Sequence, residues 1–233
     1  MPTDWLKNFP RTIKLPALPP QKEYDGNVPL GKVGHIYPSI QRFFPSDQNT
    51  QYVIIGVHDK GNCFYDTMAC ALNMNNYFDI SLQSRENAGI ALRKTILKDN
   101  TAETWKKFWD SQRVGLDKVP PLKDIWKQMG NRKTWADVYS ILYTCNRLSI
   151  NLIVFDVENG SIYCGTYNYD PTRTTVLMAW IGHMHFSPIG AIQNNKTLTT
   201  RFINQNPIMQ HINQKYKEGC SLTTIHDILL RRP

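Results

Sequence analysis

His58-Asp59-Lys60-Gly61-Asn62-Cys63-Phe64-Tyr65 joins two segments of opposite character. Before it, Gln51–Val57 (QYVIIGV) is rich in β-branched residues and reads as a strand. After it, CFYDTMACALNM places the apolar residues 64, 68, 71 and 72 on one helical stripe. Cys63 therefore follows a strand and a glycine-containing turn and opens a helix. A helix N-terminus carries partial positive charge and unpaired N–H groups. That field favours a thiolate and predicts a lowered thiol pKa. The same N–H groups, with those of the turn, could hold an oxyanion. Gly61 allows the tight backbone that a closely approaching substrate peptide requires. The competing reading is a small buried residue that happens to begin a helix, and position alone does not separate the two.

Further along, Ser84 is placed to cap a helix over 85–98, a third helix covers roughly 102–113, and a short one follows Pro121. Thr134-Trp135-Ala136-Asp137 has a Thr cap with an acid three residues on, and Val138, Ile141, Leu142 and Cys145 continue as an apolar face. Ile150–Val157 (INLIVFDV) reads as a buried strand, and Asn159-Gly160 turns a hairpin into Ser161–Tyr167. Thr175–Ile181 and His185–Ala191 are the last strands, and the tail from about 198 is helical in pattern, broken at Pro207 and Gly219. Strands early and late with helices between give a mixed α/β domain.

The 233 residues suffice for one sizeable domain, and 41% hydrophobic with 20% charged content excludes bulk disorder. The longest apolar runs are too short for a transmembrane helix. The start, Met1-Pro2-Thr3-Asp4-Trp5-Leu6, has no basic region leading into an apolar one, so no secretory signal is expected. The net charge of +8 is spread along the chain rather than blocked, which argues weakly for an acidic partner and poorly for a dedicated nucleic-acid surface. Cysteines 63, 70, 145, 164 and 220 stand singly, without CxxC or zinc-finger spacing, so free thiols in a reducing compartment are expected, with no metal or other cofactor. Prolines 10, 16, 19, 20, 29, 38 and 45 make residues 1–50 an extended arm whose apolar residues hold it to a surface.

A thiol nucleophile needs a base. His185 begins the last strand beside Phe186, where packing can hold an imidazole rigid at the rim of a cleft. The competing reading is a satisfied structural histidine. His183 is its nearest rival, on the same side if the strand extends that far. Cys70, Cys145 and Cys164 read as packing. Trp105, Trp109 and Trp126 sit at helical positions and read as core, although an exposed one could form a binding ridge. Asp25-Gly26-Asn27 reads as a turn.

The stretch His58–Tyr65 resembles the Asp-Gly-Asn-Cys motif of the OTU (ovarian tumour) cysteine proteases. Thr134-Trp135-Ala136-Asp137 followed by INLIVFD resembles the family's Trp-Gly-Asp helix and the strand after it. Ala179-Trp180 followed by His185-Phe186-Ser187 resembles its final strand pair, and the three occur in family order over about 51–190. The resemblance implies an α+β, papain-like fold of OTU type, with a small central mixed or antiparallel sheet flanked by helices. It implies a 51–190 catalytic domain; the proline-rich arm (1–50) and the helical C-terminal extension (191–233) lie outside the resemblance. It implies an isopeptidase (a deubiquitinase) acting on ubiquitin, polyubiquitin or a ubiquitin-like modifier, with Cys63 as nucleophile and His185 as general base. The backbone amides of Lys60 and Cys63 would form the oxyanion hole. Three positions depart from the pattern. Lys60 stands three before the cysteine where the family has Asp, with Asp59 one earlier. Ser187 stands two after the histidine where many members carry Asp or Asn. The third member of the triad is thus Asp59 by motif, with Ser187 or an acid of the arm (Asp25, Asp47) as the other choices. A monomer in the cytosol, or the nucleus, without membrane contact is expected. The alternatives are a non-catalytic relative that binds ubiquitin, motivated by Lys60 and Ser187, and a basic nucleic-acid-binding protein of another fold.

Overall fold

The computed structural model describes residues 11–14, 22–74, 76–98, 100–111, 119–131, 133–166, 169–194 and 196–217. Nine strands form one mixed sheet: β1 (Thr12–Lys14), β2 (Val33–His35), β3 (Thr50–Ile55), β4 (Ile150–Asp156), β5 (Ser161–Cys164), β6 (Thr174–Ile181), β7 (His185–Gln193), β8 (Thr197–Thr199) and β9 (Arg201–Phe202). The helices are α1 (Cys63–Ala71), α2 (Leu82–Lys98), α3 (Ala102–Ser111), α4 (Leu122–Gly130), α5 (Val138–Arg147) and α6 (Pro207–Lys217), with a 3₁₀ turn at Gln41–Phe43. The strand order is β1-β8-β7-β6-β4-β5, with β3 paired to β7, β2 to β3, and β9 to β6. Neighbours run antiparallel except β4 and β6, which are parallel. The sheet is mixed, as expected, but extends further than a small one.

Strand alternation divides the interior in two. Val53, Leu152, Val154, Met178, Trp180 and Phe186 face a core built with α1 to α5. Ile54, Phe155, Leu177, Ala179 and Ile189 face a second core. That second face is covered by Ile36, Ile40, Phe43 and Phe44 of the N-terminal segment and by Ile208, Met209 and Ile212 of α6. The prolines keep an α-helix out of residues 22–50, yet the segment's isoleucines and phenylalanines complete a core.

Several local expectations shift. Helix α2 starts at Leu82, with the Ser81 hydroxyl accepting the Ser84 N–H at 3.2 Å, so Ser81 rather than Ser84 sits at the cap. Asp137, not Thr134, caps α5, its carboxylate accepting the Ser140 N–H at 2.7 Å. The segment after 196 adds β8 and β9 to the sheet before any helix forms. Pro207 does not break the tail helix but opens it. The first helical position needs no N–H donor, and the Asn206 carbonyl oxygen of the side chain accepts from Ile208 at 3.0 Å. Asp25–Asn27 is a bend with Gly26 at φ +85°, its carbonyl accepting the Tyr37 hydroxyl. Cys220 lies outside the described residues.

For the site, two elements matter. Helix α1 is buried along its whole length, so its axis is fixed by packing on every side. The hydroxyl of Thr67 on α1 donates to the Phe186 carbonyl at 2.8 Å, and the Phe64 and Phe186 rings meet edge to face at 5.8 Å. The start of α1 is thereby held against the start of β7.

Candidate active site

The turn before α1 is tight. The Asn62 N–H donates to the Lys60 carbonyl, spanning one residue, and Gly61 takes φ +46°. A β-carbon at Gly61 would lie 2.5 Å from the Lys133 carbonyl oxygen, so the turn rests directly on the 133–135 loop. The first intrahelical bond is Asp66 N–H to the Asn62 carbonyl at 3.0 Å, which leaves the amides of Cys63, Phe64 and Tyr65 outside the helix ladder.

Cys63 opens the helix as expected, with only 2% of its surface exposed. Its Sγ donates to the Met184 carbonyl at 3.8 Å, one residue before His185. Burial pushes the thiol up to about 11, against the pull of the backbone N–H groups of Phe186, Phe64 and Cys63 itself. The expected lowering by the helix terminus is thus present but outweighed, because removing the thiolate from water costs more than those amides return.

His185 is the first residue of β7 and is 3% exposed. Burial pushes its imidazole down to about 4, opposed by the charge of Asp59 and reinforced by that of His58. The same burial therefore leaves both groups neutral at rest. Nε2 lies 3.0 Å from the Ser187 hydroxyl, and Nδ1 is buried without a hydrogen-bond partner. Thiol and imidazole meet through the Met184–His185 peptide rather than through a bond to one another. Catalytic hydrogen bonds are often long before substrate arrives.

Of the expected third members, Ser187 is the one on the ring. It follows His185 by two along the strand and so shares its face. Asp59, the motif-based choice, is exposed and influences His185 through its charge, with no hydrogen bond to the ring among the described contacts. Lys60 is exposed and its carbonyl closes the turn. Asp47 accepts from the Thr50 hydroxyl and the Asn49 N–H just before and at the start of β3, and Asp25 lies in the bend.

His183 is not in the strand. It sits at φ +51° in the β6–β7 turn, after Gly182 at φ +58°. Its Nε2 lies 3.2 Å from the Asp156 carboxylate and 3.2 Å from the Asn159 amide. Glu158 accepts the Gly182 N–H at 2.6 Å, so the acids clamp the turn that delivers His185. Asp156, Glu158 and His183 could together offer three ligand atoms to a metal ion, but their hydrogen bonds already engage one another and the turn.

Sequence reading missed the polar group beneath the turn. Arg93 and Asp66 are both buried. The helical spacing that places Arg93 four residues after Gly89, on the face of Ala88, Leu92 and Ile96, was the available signal. Asn62 donates to the Asp66 carboxyl at 2.9 Å and accepts from Arg93 at 3.0 Å. Cys70, Cys145 and Cys164 are buried as expected, as are Trp105 and Trp109, while Trp126 is 44% exposed and Met184 63%.

This chain is similar to an OTU domain solved in complex with ubiquitin, at 17% identity over 80% of this chain and 99% of that one, with a TM-score of 0.47. It is similar to the viral OTU domain protease from Taggert virus, at 12% identity over 66% and 95% with a TM-score of 0.42. It is also similar to an OTU deubiquitinase from Wolbachia pipientis wMel, at 15% identity over 65% and 93% with a TM-score of 0.37. No protein-family model and no curated protein matches the sequence. Among the described residues no helix is long and apolar enough to cross a membrane.

Proposed function

We propose that this protein is an OTU-type cysteine isopeptidase that removes ubiquitin or a ubiquitin-like modifier from lysine side chains. One observation carries the reading: a cysteine at the first position of a fully buried helix lies against the peptide leading into a buried histidine, whose second ring nitrogen meets a hydroxyl. The family motifs fall on those elements in order, and OTU domains bound to ubiquitin are among the similar structures.

In the resting site the thiol keeps its proton and the imidazole is neutral. With Ser187 accepting from Nε2–H, Nδ1 holds the lone pair that takes the Cys63 proton. The thiolate attacks the carbonyl carbon of the modifier's C-terminal glycine, and the carbonyl oxygen becomes an oxyanion facing the Cys63 N–H and the turn amides. The carbon–nitrogen bond breaks as His185 returns its proton to the leaving lysine amine. Water, deprotonated by His185, then attacks the thioester and releases the modifier's carboxylate and the free thiol. Trp126 and Met184 are exposed apolar groups suited to the modifier's own apolar surface.

The neutral Ser187 in place of an acid supports a second reading, a ubiquitin binder that does not cut. Ubiquitin carrying a C-terminal thiol-reactive warhead separates them. A product one ubiquitin heavier is expected from wild type, absent in Cys63→Ala and weakened in His185→Ala. Reaction with a ubiquitin-like probe alone changes the substrate and keeps the mechanism. No reaction with either probe in folded protein refutes the protease reading, and a pull-down then tests for silent binding.

A further inference from the structure

Arg93 is buried on α2, yet its guanidinium reaches three separate pieces of chain. Nη1 donates to the Asn62 side-chain oxygen at 3.0 Å, and Nη2 donates to the carbonyls of Thr134 at 2.7 Å and Gln128 at 3.3 Å. Its plane lies over the Tyr65 ring, 4.5 Å from the centroid. Gln128 belongs to the last turn of α4, Thr134 to the loop on which Gly61 rests, Asn62 directly precedes Cys63 and Tyr65 follows it by two.

Each contact constrains the same few peptide planes. The Asn62 side chain is held at both ends, accepting from Arg93 and donating to Asp66. Gly61 cannot move toward Lys133, because that loop is itself fixed through the Thr134 carbonyl. The peptide between Asn62 and Cys63 therefore has one orientation, and with it the Cys63 N–H. A flexible ammonium cannot replace this arrangement, since it lacks the planar fork that meets several acceptors at fixed angles.

We infer that Arg93 is a positioning residue for acyl transfer at Cys63: its guanidinium ties Asn62 to the 133–135 loop and so aims the Cys63 N–H at the developing oxyanion. The inference rests on the reading of Cys63 as an acyl-transfer nucleophile. It does not require that the acyl donor be ubiquitin.

Two reactions of the same thiol test it. Acylation by p-nitrophenyl acetate forms the Cys63 sulfur–acyl bond, releases p-nitrophenolate and passes through an oxyanion. Alkylation by iodoacetamide displaces iodide at a saturated carbon and forms no oxyanion. Both rates are taken as the difference between each protein and its Cys63→Ala counterpart, alongside turnover of a ubiquitin C-terminal amide. Loss of one oxyanion donor costs about 10²–10³ in rate. Arg93→Lys keeps the charge and removes the fork, so acylation and kcat are expected to fall about 100-fold, with KM and the alkylation rate within about threefold. Asn62→Ala removes the acceptor while leaving Arg93 in place. It is expected to give the same split, and it serves if Arg93→Lys does not fold. The double variant is expected to lose no more than either single one. Equal losses in both reactions, or no loss in either from folded protein, overturn the inference. A split in the small-molecule reactions with no turnover of the ubiquitin amide by wild type keeps the inference and refutes the ubiquitin reading instead.

Discussion

Replacing Ser187 by Ala tests the least expected member of the site. Its hydroxyl lies 3.0 Å from His185 Nε2, and both residues are buried, so no water stands ready to replace it. Removing one partner of a buried hydrogen bond costs about 1–3 kcal/mol, because the other is left unsatisfied. At about 1.4 kcal/mol per tenfold, kcat/KM is expected to fall about 5- to 150-fold. On the proposed mechanism Ser187 orients the base and touches no substrate, so the loss should appear in kcat. Ser187→Asp sharpens the test through pH. His185 is held down to about 4, and the reacting form carries a neutral imidazole, so kcat/KM of wild type should fall only as pH drops through about 4. A carboxylate beside the ring favours the imidazolium and raises its pKa by about 1–3 units. The acid limb of Ser187→Asp should therefore move to higher pH by that amount. The assay is turnover of a fluorogenic ubiquitin amide between pH 3.5 and 8. If Ser187→Ala stays within about twofold of wild type while Asp59→Asn falls tenfold or more, the ring is oriented through Asp59 and the assignment is refuted.

Three other outcomes follow from the same neighbourhood. Burial raises the Asp66 carboxyl to about 8, above its unfolded value, so the folded state holds an extra proton between about pH 4 and 8. Its stabilising contribution is complete below the unfolded pKa and lost as pH rises through about 8. Urea unfolding should show wild type losing a few kcal/mol between pH 5 and 9 relative to Asp66→Asn, and parallel pH slopes would refute it. Gly61→Ala meets both a left-handed φ and the Lys133 backbone at 2.5 Å. It should cost on the order of 2 kcal/mol or more and most of the activity, whereas Gly26→Ala, with nothing within 4 Å, should cost only its strain in a thermal melt. If the exposed Trp126 meets the modifier as proposed, Trp126→Ala should raise KM for the ubiquitin amide about tenfold with kcat unchanged.

The fold was legible where one segment carried its own periodicity. The strand before Cys63, the helix after it, the buried run at 150–156 and the last two long strands all announce themselves within ten residues. What stayed hidden depends on partners far along the chain. Strands β8 and β9 are three and two residues long and acquire their character only from β7 and β6. The proline-rich segment reads correctly as non-helical, but which face its Phe43 and Phe44 cover is settled by Phe155, more than a hundred residues on.

The site divides along the same line, and the division explains its electrostatics. Cys63 and His185 are marked by local context: a glycine turn into a helix, and a histidine entering a strand. The helix-terminus field acting on Cys63 is equally local and is present, in the N–H groups that pull the thiol down. Desolvation is not local. It comes from α1 being enclosed on every side and from β7 lying inside the sheet, and it drives thiol and imidazole to neutrality together. A neutral pair has to be converted into an ion pair at the moment of reaction, so the site depends on groups that act once charge appears. Arg93 is such a group. It is a buried cation whose pKa burial lowers, against the charges of Tyr65, Asp66 and Cys63, and its hydrogen bonds fix the turn that would face an oxyanion on the proposed mechanism. On the proposed mechanism, a site that rests neutral in this way holds little thiolate until a substrate carbonyl arrives, and bracing of the turn matters most once charge forms.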